Sequence, residues 1–207
     1  MYILAYDTET SGLPLFREPS DSPGQPHIVQ LAAALVNTDT REIVQSLDVI
    51  IRPDGWEIPD EVAAIHGITT EKAQDVGISE ETALSAFLDL WACRPRVAHN
   101  ETFDQRVIRI AIKRFFGVVA DTRCDLWREA PVECTARLST SIVNLPPTEK
   151  MKRAGRNHPK TPKLSEAYEH FTGRPLENAH SAMADVLGCL EVYWAIKDQQ
   201  EPEGEAA

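Results

Sequence analysis

Three apolar runs separated by turn chemistry open the chain, and they commit it to a fold built on a sheet. Tyr2–Tyr6 and Ile28–Val36 are continuous enough for buried strands, and Ile43–Ile51 alternates partly before Pro53. Leu13–Gly24, rich in Pro, Ser and Asp, reads as a loop, and Asn37-Thr38-Asp39-Thr40 as a turn. The three runs form an antiparallel meander. Although apolar, Met1–Tyr6 has no basic start and runs straight into acids, so it reads as a strand and not a signal peptide.

The middle of the chain carries helical periodicity. Pro59 and Asp60 open a short helix ending near His66-Gly67. Ser79 caps a helix through Trp91, on which Ala83, Leu84, Phe87, Leu88 and Trp91 recur at helical spacing, and Pro95 stops it. Arg96–His99 is a short strand, Phe103–Phe116 an amphipathic helix closed by Gly117, and Val118–Asp121 a last short strand. Ala130–Pro162 shows no sustained period and contains five prolines; a gap of that length is usually functional or disordered. Leu164–Thr172 and Ser181–Lys197 are the final helices. The plan is α/β or α+β around one sheet. Residues 1–198 form one domain, 130–162 reads as an insertion, and 199–207 as an acidic disordered tail.

The net charge of −11 argues against a protein that coats duplex nucleic acid. One basic segment departs from it: Lys150, Lys152, Arg153, Arg156, Lys160 and Lys163 lie together with no acid between them. A solvated loop is the plain alternative. Cys93, Cys124, Cys134 and Cys189 form no CxxC pair, which suits free thiols in a reducing cytoplasm. No apolar run is long enough to span a membrane.

Asp7 and Glu9 stand two apart at a strand end, so both side chains share one face. Adjacent anions there repel, and a divalent cation offsets the cost. Alone, the pair reads more readily as a strand running out into an acidic loop. Asp104 follows the strand Arg96–His99, beyond the carboxyl end where α/β sheets bind ligands; alone it is an acid in a helix's first turn. His180 stands just before a helix with Ser181 as its N-cap, and Asp185 lies among apolar neighbours where a carboxylate needs a partner.

Taken together, in the order Asp, Glu, Asp, His, Asp, these residues resemble the DnaQ-like exonucleases, the DEDDh group of the RNase H-like fold. The motifs are Asp7-Thr8-Glu9-Thr10-Ser11-Gly12, Ile65-His66-Gly67-Ile68-Thr69, His99-Asn100-Glu101-Thr102-Phe103-Asp104, and the His180-to-Asp185 spacing; the match runs over Tyr2–Trp194. The resemblance implies a five-stranded mixed sheet of order 3-2-1-4-5 flanked by helices. It also implies a 3′→5′ exonuclease that releases nucleoside 5′-monophosphates with two divalent ions, Mg²⁺ or Mn²⁺. Asp7, Glu9 and Asp185 would bind one ion, and Asp7 and Asp104 the second. His180 would be the general base, a role suited to histidine's ordinary pKa. Thr8, Thr10, Gly12, Ile65, His66, Asn100 and Phe103 would border the 3′-terminal nucleotide. Lys152, Arg153 and Arg156, on a stretch longer than the family connector, would form a flap with phosphate contacts.

Single-stranded DNA is the favoured substrate on resemblance alone, with RNA or short oligonucleotides as the alternative. A non-catalytic polymerase-associated subunit is the reading from another class, weakened by all five positions being intact. A metal-dependent phosphatase or nucleotidase is a third. A homodimer and a polymerase or repair partner both remain open.

Overall fold

The computed structural model describes residues 1–200; of the acidic tail expected over 199–207, residues 201–207 lie outside the described residues. Strands β1 (Tyr2–Thr10), β2 (Ile28–Asn37) and β3 (Ile43–Ile50) form the antiparallel meander, and β4 (Arg96–Ala98) and β5 (Val132–Cys134) complete a mixed sheet of order β3-β2-β1-β4-β5. β1 pairs with β2 along its whole length, antiparallel, and with β4 in parallel.

Alternation along the strands makes two packed faces. Leu4 and Tyr6 of β1, with Leu31, Ala33 and Leu35 of β2, pack against α3 (Glu80–Trp91), α4 (Glu101–Phe115) and α5 (Ala120–Glu129). Ile3 and Ala5, with Ala32, Ala34 and Val36, face α9 (Ala182–Gln200) through Ala182, Val186, Cys189, Leu190 and Tyr193. Burying each of the larger aliphatic side chains stabilises the fold by roughly 1.5–3 kcal/mol. The remaining helices are α1 (Asp60–His66), α2 (Thr70–Val76), α6 (Thr135–Val143), α7 (Glu149–Arg153) and α8 (Leu164–Thr172). Among the described residues, no helix is long and apolar enough to cross a membrane.

Four local expectations change. β1 does not stop at Tyr6: its ladder with β2 carries it through Asp7 and Glu9 to Thr10. The strand expected over Val118–Asp121 is instead a 3-10 turn, Gly117–Val119, leading into α5. Val118 is fully solvent-exposed, so its apolar character marks no core. The fifth strand is β5, within the stretch that shows no period. That stretch, 130–162, also holds α6 and α7, so it is not a structureless insertion. Finally, α2 was not foreseen; the Thr69 side chain accepts the Lys72 N–H and starts it.

Candidate active site

β4 ends at Ala98 and is paired with β1 only at Leu4 and Ala5. Beyond that point one edge of β1 is open, and Asp7 and Glu9 project there from the α9 side of the sheet. The strand N–H groups on that edge still need acceptors. The Leu4 N–H uses the Pro95 carbonyl at 2.9 Å. Four residues on, the Thr8 N–H donates to Asp104 Oδ1 at 3.0 Å, and the Thr8 hydroxyl donates to the same oxygen at 2.7 Å. Asp104 therefore completes the strand edge where β4 runs out. It can reach because Asn100, in the left-handed conformation (φ 61°), turns the chain from β4 directly into α4. A register shift between Glu9 and Thr10 bends β1 just past the second acid.

α9 supplies the opposite wall. Its first turn carries Asp185, whose Oδ2 accepts the His180 N–H at 3.2 Å. His180 is exposed and adopts a positive φ of 70°, so the turn before α9 holds it in a conformation uncommon for a side-chain-bearing residue. Ser181 sits at the N-cap position as expected, but the Ala182 N–H is taken by Gln30 Oε1 of β2 at 3.1 Å. Ligand atoms of Glu9, His180 and Asp185 lie within 4.8 Å of one another.

The electrostatics are those of crowded carboxyl groups drawn out of water. Burial raises the Asp7 carboxyl well above the usual range, and Asp104, Asp185 and Glu9 raise it further. Glu9 is pushed up to about 8, by burial first and then by Asp185 and Asp104. Burial lifts Asp104 to about 7 against the opposing hydrogen bonds from Thr8. Asp185 is raised by burial, and its Oδ1 is buried with no hydrogen-bond partner. Four acids that disfavour one another's charge, with an orphaned oxygen among them, fit hard divalent cations. The fold thus brings together Asp7, Glu9, Asp104, His180 and Asp185.

The expected substrate residues differ in burial and in partners. Thr8 is buried beneath Asp104, and the Thr10 hydroxyl donates to the Gly12 carbonyl at 2.8 Å. Ile65 is exposed. His66 is buried beside it, and its Nδ1 accepts the Ile68 N–H at 3.1 Å, which leaves Nε2 as a buried donor without a partner. Burial first, and then the neighbouring charges of His180 and Lys72, lower the His66 pKa. Phe103 is half-buried against the main core. Lys152, Arg153 and Arg156 are exposed on and after α7, and their contacts are local: Lys152 pairs with Glu149 at 2.8 Å.

A cleft of 520 Å³ adjoins His180 and Asp185, bordered by Asn100, His99, Pro162 and Lys163. His99, not singled out from sequence, ties this wall together. Its Nδ1 is 2.9 Å from the Thr135 hydroxyl, and its Nε2 is 3.1 Å from the Pro162 carbonyl.

A family model described as Exonuclease matches residues 4–193. No curated protein sequence matches. Among solved structures, Escherichia coli exonuclease I in complex with a dT13 oligonucleotide is similar over 96% of this chain and 41% of that one, at 20% identity and a TM-score of 0.71. The zinc-bound E. coli exonuclease I–ssDNA complex gives the same coverages and identity with a TM-score of 0.68. A product-bound exonuclease I aligns over 96% of this chain and 44% of its own, at 18% identity and 0.69. This chain thus spans about two-fifths of the length of those chains, and identity this low speaks for the fold. The family match over nearly the whole chain, on a sheet that gathers these five side chains, places the protein in the exonuclease family, of the DnaQ-like, DEDDh type within the RNase H-like superfamily.

Proposed function

We propose that the protein is a metal-dependent 3′→5′ exonuclease that hydrolyses the terminal phosphodiester of single-stranded DNA and releases nucleoside 5′-monophosphates. The observation that carries this reading is the convergence of four mutually repelling carboxylates and a histidine at the open edge of β1, in a chain of the exonuclease family. The likeness to exonuclease I structures holding single-stranded DNA supports the substrate class.

Asp7, Glu9 and Asp185 would hold one Mg²⁺ or Mn²⁺ ion, and Asp7 with Asp104 a second. Bound there, such ions offset phosphate charge and make a coordinated water more acidic. The chain's own groups do the rest. His180 takes the proton of the attacking water; its ring is exposed on the substrate side, and its backbone N–H holds Asp185 in place. Thr8 fixes Asp104 through two hydrogen bonds. Ile65 presents an exposed apolar surface towards the terminal sugar and base, with His66 buried beside it. Gly12, Asn100 and Phe103 border the same nucleotide, and Lys152, Arg153 and Arg156 contact phosphates further along the strand. Four unpaired thiols support a reducing, cytoplasmic setting.

The test is a 5′-labelled DNA strand and its RNA equivalent, incubated with Mg²⁺, Mn²⁺ or chelator, beside Asp7→Ala. A metal-dependent ladder shortening from the 3′ end, absent in the variant and stronger on DNA, is the expected result. Preferential cutting of RNA would overturn the substrate assignment, and no cutting with either metal would overturn the activity.

A further inference from the structure

Gln30 is the third residue of β2, directly across the ladder from Glu9, and is only 7% exposed. It interrupts a strand whose other buried members are apolar. Both ends of its amide are used. Oε1 accepts the Ala182 N–H at 3.1 Å, the first residue of α9, and Nε2 donates to Asp48 Oδ1 of β3 at 2.7 Å. The partners fix the amide's orientation, because a backbone N–H requires an acceptor and a carboxylate a donor.

We infer that Gln30, oriented by Asp48, is a positioning residue for the catalytic centre: it ties the N-terminus of α9 to the sheet and thereby sets where Asp185 and His180 stand relative to Asp7 and Glu9. Three observations support this. The first N–H groups of a helix lack intrahelical acceptors, and here a side chain from the sheet caps one of them. Gln30 and Glu9 share one rung of one face, so a single residue spans the gap between the strand acids and the helix acid. The contact also bridges 152 residues of sequence at the point where α9 turns towards the carboxylates, just three residues before Asp185. The neighbouring Ala32 and Ala34 bring α9 close but carry no polar group to fix its rotation or axial position.

This inference rests on the exonuclease reading for its kinetic consequence but not for its geometric one, and the experiment separates the two. Gln30→Met keeps length and charge while removing both hydrogen bonds. In it the Ala182 amide, followed by hydrogen exchange, should lose protection. Mn²⁺ affinity should weaken on the order of tenfold, and kcat should fall on the order of 10- to 100-fold with KM nearly unchanged. Asp48→Ala should give the same pattern more weakly. Gln30→Glu combined with Asp48→Asn reverses donor and acceptor between positions 30 and 48 while still offering the Ala182 N–H an acceptor, and should restore protection at Ala182. Unchanged exchange at Ala182 in Gln30→Met would overturn the tether. A loss confined to KM, or unchanged kcat and Mn²⁺ affinity, would overturn its role at the catalytic centre. If the wild-type protein cuts no strand, the exonuclease reading falls, while the amide exchange and Mn²⁺ affinity still decide whether Gln30 positions the metal ligands.

Discussion

Two groups of acid, one fully buried and one largely half-buried, sit near the same end of the sheet and are treated in opposite ways. Glu80, at the start of α3, is 6% exposed, and its carboxylate is fully engaged. His27 Nδ1 lies 2.7 Å away, the Ile28 N–H donates at 3.2 Å, and Arg114 donates at 3.1 and 3.4 Å. Arg114 also donates to the carbonyls of Gln25 and Pro26, and the His27 ring stacks on Trp56. Among the described residues no Lys or Arg pairs with Asp7, Glu9, Asp104 or Asp185, and one buried oxygen is left orphaned. Where the chain provides its own countercharge, the result is a structural clamp. Where it withholds one, the fold stores a demand that a bound ion can meet.

Replacing one acid of the open cluster should break the contrast most sharply. Asp7→Asn should lower exonuclease activity on the order of a thousandfold or more, since metal charge stabilisation is worth several kcal/mol. The same change should raise the melting temperature in chelator, because Asn removes the cost of protonating a carboxyl that is ionised in the unfolded chain. His180→Ala should lower kcat about 10²- to 10³-fold while leaving strand affinity intact, measured by single-turnover rates beside equilibrium binding. Near-normal rates would remove His180 from the mechanism. Glu80→Ala tests the closed cluster and should cost about 3 kcal/mol in denaturant unfolding, with activity per folded molecule preserved.

A smaller effect follows from linkage. Folded Glu9 titrates at about 8 and Asp104 at about 7, both above the ordinary carboxylate range. The folded, metal-free protein therefore holds more protons than the unfolded chain between those limits, and its stability falls as pH rises through that window. In chelator the melting temperature should drop by roughly 5 °C between pH 5 and pH 8, and saturating Mn²⁺ should remove most of the drop. A flat profile in chelator would mean that the acids are not strained as described. Smallest of all, replacing Lys152, Arg153 and Arg156 with Gln should raise KM by about threefold and flatten its salt dependence.

What could be read from the sequence was mostly what is written locally. Asp7 and Glu9 carry their shared face in their spacing, and α3 carries its limits in Ser79 and Pro95. β5 could not be read, because three residues with one buried side chain hold no period, and Val118-Val119 mimicked a strand while lying in solvent. Contacts between distant parts of the chain were equally hidden. Thr8 and Asp104 are 96 residues apart, and nothing local announces that one completes the other's strand edge. Gln30 left a trace, a lone polar residue in an apolar run, but its partners at Asp48 and Ala182 emerge only once three elements meet.

The alanines under α9 act as a shim whose thickness is set by the absence of side chain. Ala32 lies opposite Asp7 in the ladder, and Ala34 opposite Ala5. A helix resting on methyl groups has no slack to absorb a larger neighbour, and overfilling a packed interior moves backbone at about 1–3 kcal/mol. Growth at position 32 would therefore act as a change of bond reach at the acids, lifting Asp185 away from Asp7 without touching a ligand. Displacements of about an ångström can cost reactions a hundredfold, so the most chemically inert residues in the sheet set the tolerance to which its most reactive ones are held.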